Sequence, residues 1–208
     1  MKFRPGPAGT CILILISLAV GGCTLFSAGQ RPQTRFFMLS SLASSDQPAQ
    51  PLAMLPHVAL GIGPVRPAPY LDRRNIIVRS SRSEFELVEL SQWAEPVQDM
   101  FARVTADNLS VLLGTNRVFL FPWRSSMPVD YQVTLQVAQF DGLPGEQVVL
   151  RAHWQVFTGD GNKLMKSGFS VIEDKVEDGS IEALVAAGSR VVERLSRAVA
   201  EAIAVLAK

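Results

Sequence analysis

The spacing of apolar positions changes period several times along this 208-residue chain, and each change marks a new element. A short strand is predicted at residues 36–39 (FFML). Residues 57–65 (HVALGIGPV) place Val58, Leu60 and Ile62 on one face and Ala59, Gly61 and Gly63 on the other. That is a strand with one bulky face and one small face, against which a backbone or helix can pack. Residues 75–79 (NIIVR) and 84–90 (EFELVEL) flank the polar turn 80–83 and read as a hairpin.

After Ser91 the period becomes helical. Val97, Met100, Phe101, Val104, Asn108, Val111 and Leu112 recur at spacings of three and four, and Gly114 ends the helix after Leu113. Pro96 suits the first turn, where its missing N–H has no partner to lose. Asn108 is the polar residue on this apolar face, and its amide must hydrogen-bond a neighbouring loop, because an unpaired buried amide costs about 1–3 kcal/mol. Residues 117–123 (RVFLFPW) are apolar at almost every position, as in a central strand covered on both faces.

Residues 131–140, 147–157 and 163–172 alternate apolar and polar and are separated by DGLPG and GDGN, the turn chemistry of an antiparallel meander. Val133, Leu135 and Val137 face inward with Leu150, Ala152, Trp154 and Val156. Gln132, Thr134, Gln136, Arg151, His153 and Gln155 make the opposite face either wet or a partner surface. From Ser180 a long amphipathic helix closes the chain, with Ile181, Leu184, Val185, Val191, Val192, Leu195, Val199, Ile203 and Leu206 as its stripe. Its mixed-charge outer face includes the i, i+4 pair Glu193 and Arg197, and favours packing on a core over lying on a membrane. The sum is one α/β (α+β) domain with a mixed, largely antiparallel sheet packed by two long helices.

The N-terminus changes the picture. Lys2 and Arg4 precede an apolar run of about ten residues, 11–20 (CILILISLAV), too short to span a bilayer, which ends in Val20-Gly21-Gly22-Cys23. Small residues before a cysteine are the grammar of a lipobox. Residues 1–22 are therefore expected to be a lipoprotein signal peptide, and Cys23 the acylated first residue of the mature chain. Two or three acyl chains anchor stably where one does not. Residues 23–34 form a tether that reaches up to about 40 Å, and residues 35–208 form the domain.

Removal of Lys2 and Arg4 turns a formal charge of +1 into −1, a balance with no pull toward nucleic acid. Of the two cysteines, Cys11 leaves with the signal peptide and Cys23 is acylated, so the domain has no disulfide. His57 and His153 without a thiol are too few ligands for a zinc site, and no cofactor is expected.

The Gly61-Ile62-Gly63-Pro64 run begins like a dinucleotide fingerprint but meets Pro64, Arg66, Pro67 and Pro69 where a helix should open. There is no P-loop and no Gly-x-Ser-x-Gly elbow. His153 falls on the polar face of a strand with no serine motif to meet it. The carboxylates Glu84 and Glu86, and Asp174, Glu177 and Asp178, sit at strand ends and turns, where charge is ordinarily solvated. No catalytic site is expected.

The lipobox is followed in order by Phe36-Phe37-Met38-Leu39, Pro69-Tyr70-Leu71-Asp72-Arg73, Trp93-Ala94-Glu95-Pro96-Val97 and Asn108-Leu109. In this the chain resembles the auxiliary lipoproteins of ABC-type lipid transport, the PqiC-like (YmbA-like) family. The resemblance implies a palmitate-type lipid anchor on the periplasmic face of the Gram-negative outer membrane. It also implies work beside a transporter whose mammalian-cell-entry (MCE) proteins bridge the periplasm, maintaining the envelope. Thr24 fits the outer membrane, since aspartate there signals inner-membrane retention. Relatives usually carry tyrosine in the first strand, and Phe36 and Phe37 lose those hydroxyls.

Two clusters are candidate partner contacts. Tyr70, Leu71, Asp72 and Arg73 lie in a Pro-flanked loop that either docks on a partner or caps the core and pins the turn. Trp93 and Glu95 precede the helix at Pro96, where they either meet a partner or serve the helix start. The expected role is non-enzymatic docking of an MCE assembly at the outer membrane, with homo-oligomerisation compatible. The rivals are a lipid carrier, with sheet and helices splayed around an acyl chain, and an envelope hydrolase.

Overall fold

The computed structural model describes residues 32–44, 49–81, 83–124 and 126–208. The predicted signal peptide, Cys23 and almost all of the predicted tether lie outside the described residues. Among those described, no helix is long and apolar enough to cross a membrane.

The elements run β1 (Arg35–Phe37), β2 (Leu60–Pro67), β3 (Asn75–Arg79), β4 (Phe85–Trp93), α1 (Val97–Leu113), β5 (Val118–Leu120), β6 (Tyr131–Gly142), β7 (Gln147–Thr158), β8 (Leu164–Lys175) and α2 (Ile181–Leu206). The α+β class with two long helices holds, and the strands divide between two sheets. A five-stranded sheet has the order β5-β2-β6-β7-β8, and a three-stranded sheet the order β1-β4-β3. The predicted meander is present, β6, β7 and β8 pairing antiparallel in turn. The mixed character comes from β2, which lies parallel to both β5 and β6. The 75–79 and 84–90 hairpin forms as β3 and β4, and β1 pairs parallel with the far end of β4.

Both helices cover one face of the larger sheet, α1 over β2 and β5, α2 over β7 and β8. That face is the apolar half of the alternation: Val133, Val137, Leu150, Ala152 and Val156 are fully buried beneath Val191, Val192, Leu195 and Val199 of α2. Each such side chain contributes about 1.5–3 kcal/mol relative to exposure. Gly114 ends α1 in the left-handed conformation at φ 58°, and Ser180 caps α2 by accepting a hydrogen bond from Ala183 N–H at 3.1 Å. Arg190 and Arg194 of α2 both reach Asp174 of β8, so this carboxylate clamps helix to sheet and is not simply solvated.

Asn108 does what its position predicts. Its Oδ1 accepts from Leu42 N–H at 2.7 Å, and its Nδ2 donates to Ser196 Oγ of α2 at 3.2 Å. One buried amide thus ties both helices to the incoming segment, where Leu39 is buried and Ser40 N–H donates to Ser189 Oγ.

Three expectations are corrected. Residues 117–123 are not a central strand: β5 is a three-residue edge, with Leu120 and Phe121 exposed. Its apolar run continues into a loop whose Trp123 lies over Gly61 of β2. A Cβ at Gly61 would meet the indole at 2.7 Å, so a side chain, not a backbone or helix, fills the small face of β2. The strand ending at Phe140 runs on to Gly142, because a register shift between Val137 and Gln139 reverses its parity and carries Asp141 into the sheet.

Asn108→Ala is expected to lower stability by about 2–3 kcal/mol in urea titration, since Leu42 N–H and Ser196 lose their buried partner. Thr105, one turn earlier in α1, carries a buried hydroxyl with no hydrogen-bond partner among the described residues, so Thr105→Val should be neutral or stabilising in the same assay.

Candidate partner-binding site

Pro69 opens a single 3-10 turn through Leu71, fastened to the large sheet by Ala68 N–H donating to Val137 O at 2.8 Å. Leu71 is buried and Tyr70 half-buried, while Asp72 and Arg73 are exposed. The Tyr70 hydroxyl donates to Asp141 Oδ2 at 2.6 Å. Arg79 of β3 grips the same carboxylate with Nε at 2.7 Å and Nη2 at 3.1 Å, and Gln139 Nε2 adds a third donor at 3.0 Å. The Phe85 ring stacks on Tyr70 at 4.9 Å and lies under the Arg79 guanidinium at 4.4 Å.

Burial alone would raise the Asp141 carboxyl, whose side chain is 1% exposed. The hydrogen bonds from Arg79, Tyr70 and Gln139 outweigh it and hold the group below the usual carboxylate range. Burial, followed by the bond to Asp141, pushes the Tyr70 phenol well above its ordinary value, so it stays a neutral donor.

The core-capping reading of the loop therefore holds for half of it. Tyr70 and Leu71 hold the core, whereas Asp72 and Arg73 do not pin the turn: neither side chain has a hydrogen-bond or ion-pair partner among the described residues. The second cluster meets the first through the backbone, Trp93 N–H donating to Arg74 O at 2.7 Å. Trp93 belongs to β4, with its ring 6.2 Å from Phe140. Glu95 pairs with Arg103 two turns into α1 at 2.5 Å and does not cap the helix N-terminus. The structure thus gathers Tyr70, Leu71, Asp72, Arg73 and Trp93 at one end of the small sheet and turns Glu95 toward α1.

Asp141, Arg79 and Phe85 escaped the sequence reading because Asp141-Gly142 looks like the start of a turn. The odd spacing from Val137 to Phe140, three positions where alternation demands two, was the available signal of the bulge.

His153, the histidine weighed for catalysis, is exposed and its ring lies 4.4 Å from that of Phe169. Among the described residues no group of three or more His, Cys, Asp or Glu could hold a metal ion. Cys23 lies outside the described residues.

The geometry is that of an α+β domain whose unpaired charges stand on a rigidly held turn. The chain belongs to the family of ABC-type transport auxiliary lipoprotein components, whose model matches residues 41–200. No curated protein matches it. Among solved structures, an uncharacterised protein superposes with a TM-score of 0.66 at 15% identity, over 82% of this chain and 99% of its own. A Xanthomonas campestris protein of the DUF330 family model superposes at 0.63 and 15% identity, over 80% and 92%. At that identity the likeness speaks for the fold.

Asp141→Asn should cost about 2–4 kcal/mol near neutral pH, because it leaves Arg79 facing an amide in place of a carboxylate. The Asp141 pKa is lowered on folding, so its contribution is full above the unfolded value near pH ~3.9 and fades as pH falls through the folded value. Urea titrations of both proteins should accordingly show the gap narrowing below about pH 4.

Proposed function

We propose that this lipoprotein is a non-enzymatic docking component of an ABC-type lipid transporter. Acyl chains on Cys23 hold it on the periplasmic face of the outer membrane, and the Tyr70–Arg73 turn meets an MCE protein of the transporter. The observation that carries the reading is the division of labour within this turn. Tyr70 and Leu71 are spent on the core, and a buried carboxylate holds the turn still, so Asp72 and Arg73 are presented without the entropy cost of ordering a loose loop. Trp93 supplies an aromatic neighbour of the kind that anchors interfaces. Family membership supports a transporter as the partner class. Several copies at one transporter tip are compatible with this docking.

The lipid carrier with sheet and helices splayed apart finds little room, since that interface is filled by fully buried side chains. A hydrolase would need a nucleophile beside His153, whose ring contact is with Phe169.

Two measurements test the proposal. Cys23→Ser should move the protein from the membrane fraction to the soluble periplasm. A photo-crosslinking residue at position 72 or 73 should yield an in-cell adduct with an MCE protein, absent when the same residue stands at Glu201 on the outer face of α2. Equal adducts at both places, or none at the turn, would remove the docking role.

A further inference from the structure

The face of the large sheet opposite the helices carries an open trough of about 660 Å³ over the middle of β6 and β7. Register places four side chains in one straight row across it. Arg66 of β2 lies beside Gln136 of β6, Gln136 beside His153 of β7, and His153 beside Phe169 of β8. At about 4.8 Å per strand the row spans about 14 Å. The next row is polar throughout, with the Thr134 hydroxyl, the Gln155 amide and the Ser167 hydroxyl.

Three features distinguish the trough from an ordinary solvated face. Its lining contains an arginine, a histidine, amides and hydroxyls but no carboxylate. Arg66, Gln136 and Gln155 make no side-chain hydrogen bond or ion pair among the described residues, whereas Arg79 of β3 is paired with Asp141. And the row ends on β8 in an exposed aromatic: Phe169 is 53% exposed, with Val171, 50% exposed, two residues further along the strand just beyond the trough.

Read across the row, the chemistry is cation, hydrogen-bond donors, then apolar surface. We propose that the trough binds one anionic glycerophospholipid, with the phosphate on Arg66, the ester carbonyls on Gln136 and the amide of Gln155, and the first methylenes on Phe169, from which the chain runs out toward Val171. A guanidinium is suited to phosphate, and amide N–H groups to ester oxygens. Inorganic phosphate would use only the Arg66 end of the row. An extended peptide gains its affinity by adding to a sheet edge, and the middle of a sheet face offers it no backbone donors. The site is distinct from the Tyr70–Arg73 turn, so it stands or falls separately from the docking proposal.

The test uses the full-length acylated protein in a non-ionic detergent, photolysed with phosphatidylglycerol bearing a diazirine on its acyl chain, and maps adducts by peptide mass spectrometry. Adducts are expected on residues 164–175. Their yield should fall about tenfold in Arg66→Glu, the loss of a charge-assisted contact. Phe169→Asp should lower it comparably; both side chains are exposed, so circular dichroism and the urea midpoint should match the parent. If Arg66→Glu fails that folding check, Phe169→Asp decides. Phosphatidylcholine of the same chain length should label more weakly, and millimolar inorganic phosphate should not displace the lipid. Undiminished labelling in the folded variants, adducts spread over the helices, or full displacement by inorganic phosphate would overturn the assignment.

Discussion

The Asp141 carboxylate, buried near the end of β6, is the point through which the small sheet and the Pro69–Leu71 turn are joined to the large sheet. It receives the Arg79 fork from β3 and the Tyr70 hydroxyl from the turn, with Gln139 completing the set. A charge taken out of water in this way is tolerable only when donors surround it, so each of these elements is obliged to stay where it is. Tyr70, Phe85 and Arg79 then stack upon one another, and Leu71 enters the core. The exposed pair Asp72 and Arg73 takes its fixed position from this arrangement. A surface turn is held rigid because its neighbour in sequence is locked to a buried ion.

The large sheet shows the complementary economy. Its two faces are built from the same strands, and the strict alternation of β6 and β7 sends Val133, Leu135, Trp154 and Val156 to the helices while Thr134, Gln136, His153 and Gln155 go to the other side. The two helices cover the first face, and the Asn108 amide ties them to the Leu39–Leu42 segment. On the second face Trp123 covers Gly61, and the β7–β8 turn closes the end beside Gln132, whose Nε2 donates to Gly159 O at 2.7 Å. What remains between is a trough framed by structure but not filled by it. The rigid turn and the framed trough thus lie on separate parts of the same scaffold.

Legibility in the sequence followed the range of the interactions involved. The meander, both helices, the start of the second at Ser180, the Gly114 stop and the Glu193–Arg197 pair were readable because each is decided within a few residues. Asn108 was readable as a buried amide in need of a partner, though its partners, Leu42 and Ser196, are 66 and 88 residues away. The 117–123 segment misled because apolarity there serves two purposes. A three-residue edge strand and a tryptophan lid look, in one dimension, like a single buried strand.

The alternation and capping of the chain by themselves determined an α+β domain with two helices and an antiparallel meander, since hydrophobic period and terminal hydrogen bonding are local properties. The four spaced motifs pointed to the family. Only the tertiary structure decided that the strands form two sheets, that Tyr70 is a core anchor beside two free charges, and that Arg66, Gln136, His153 and Phe169 stand in one row. These depend on register between strands far apart in the chain. A one-residue bulge, such as the one that turns Asp141 into its buried site, reverses every face beyond it, and only the pairing of strands in space sets where such bulges fall.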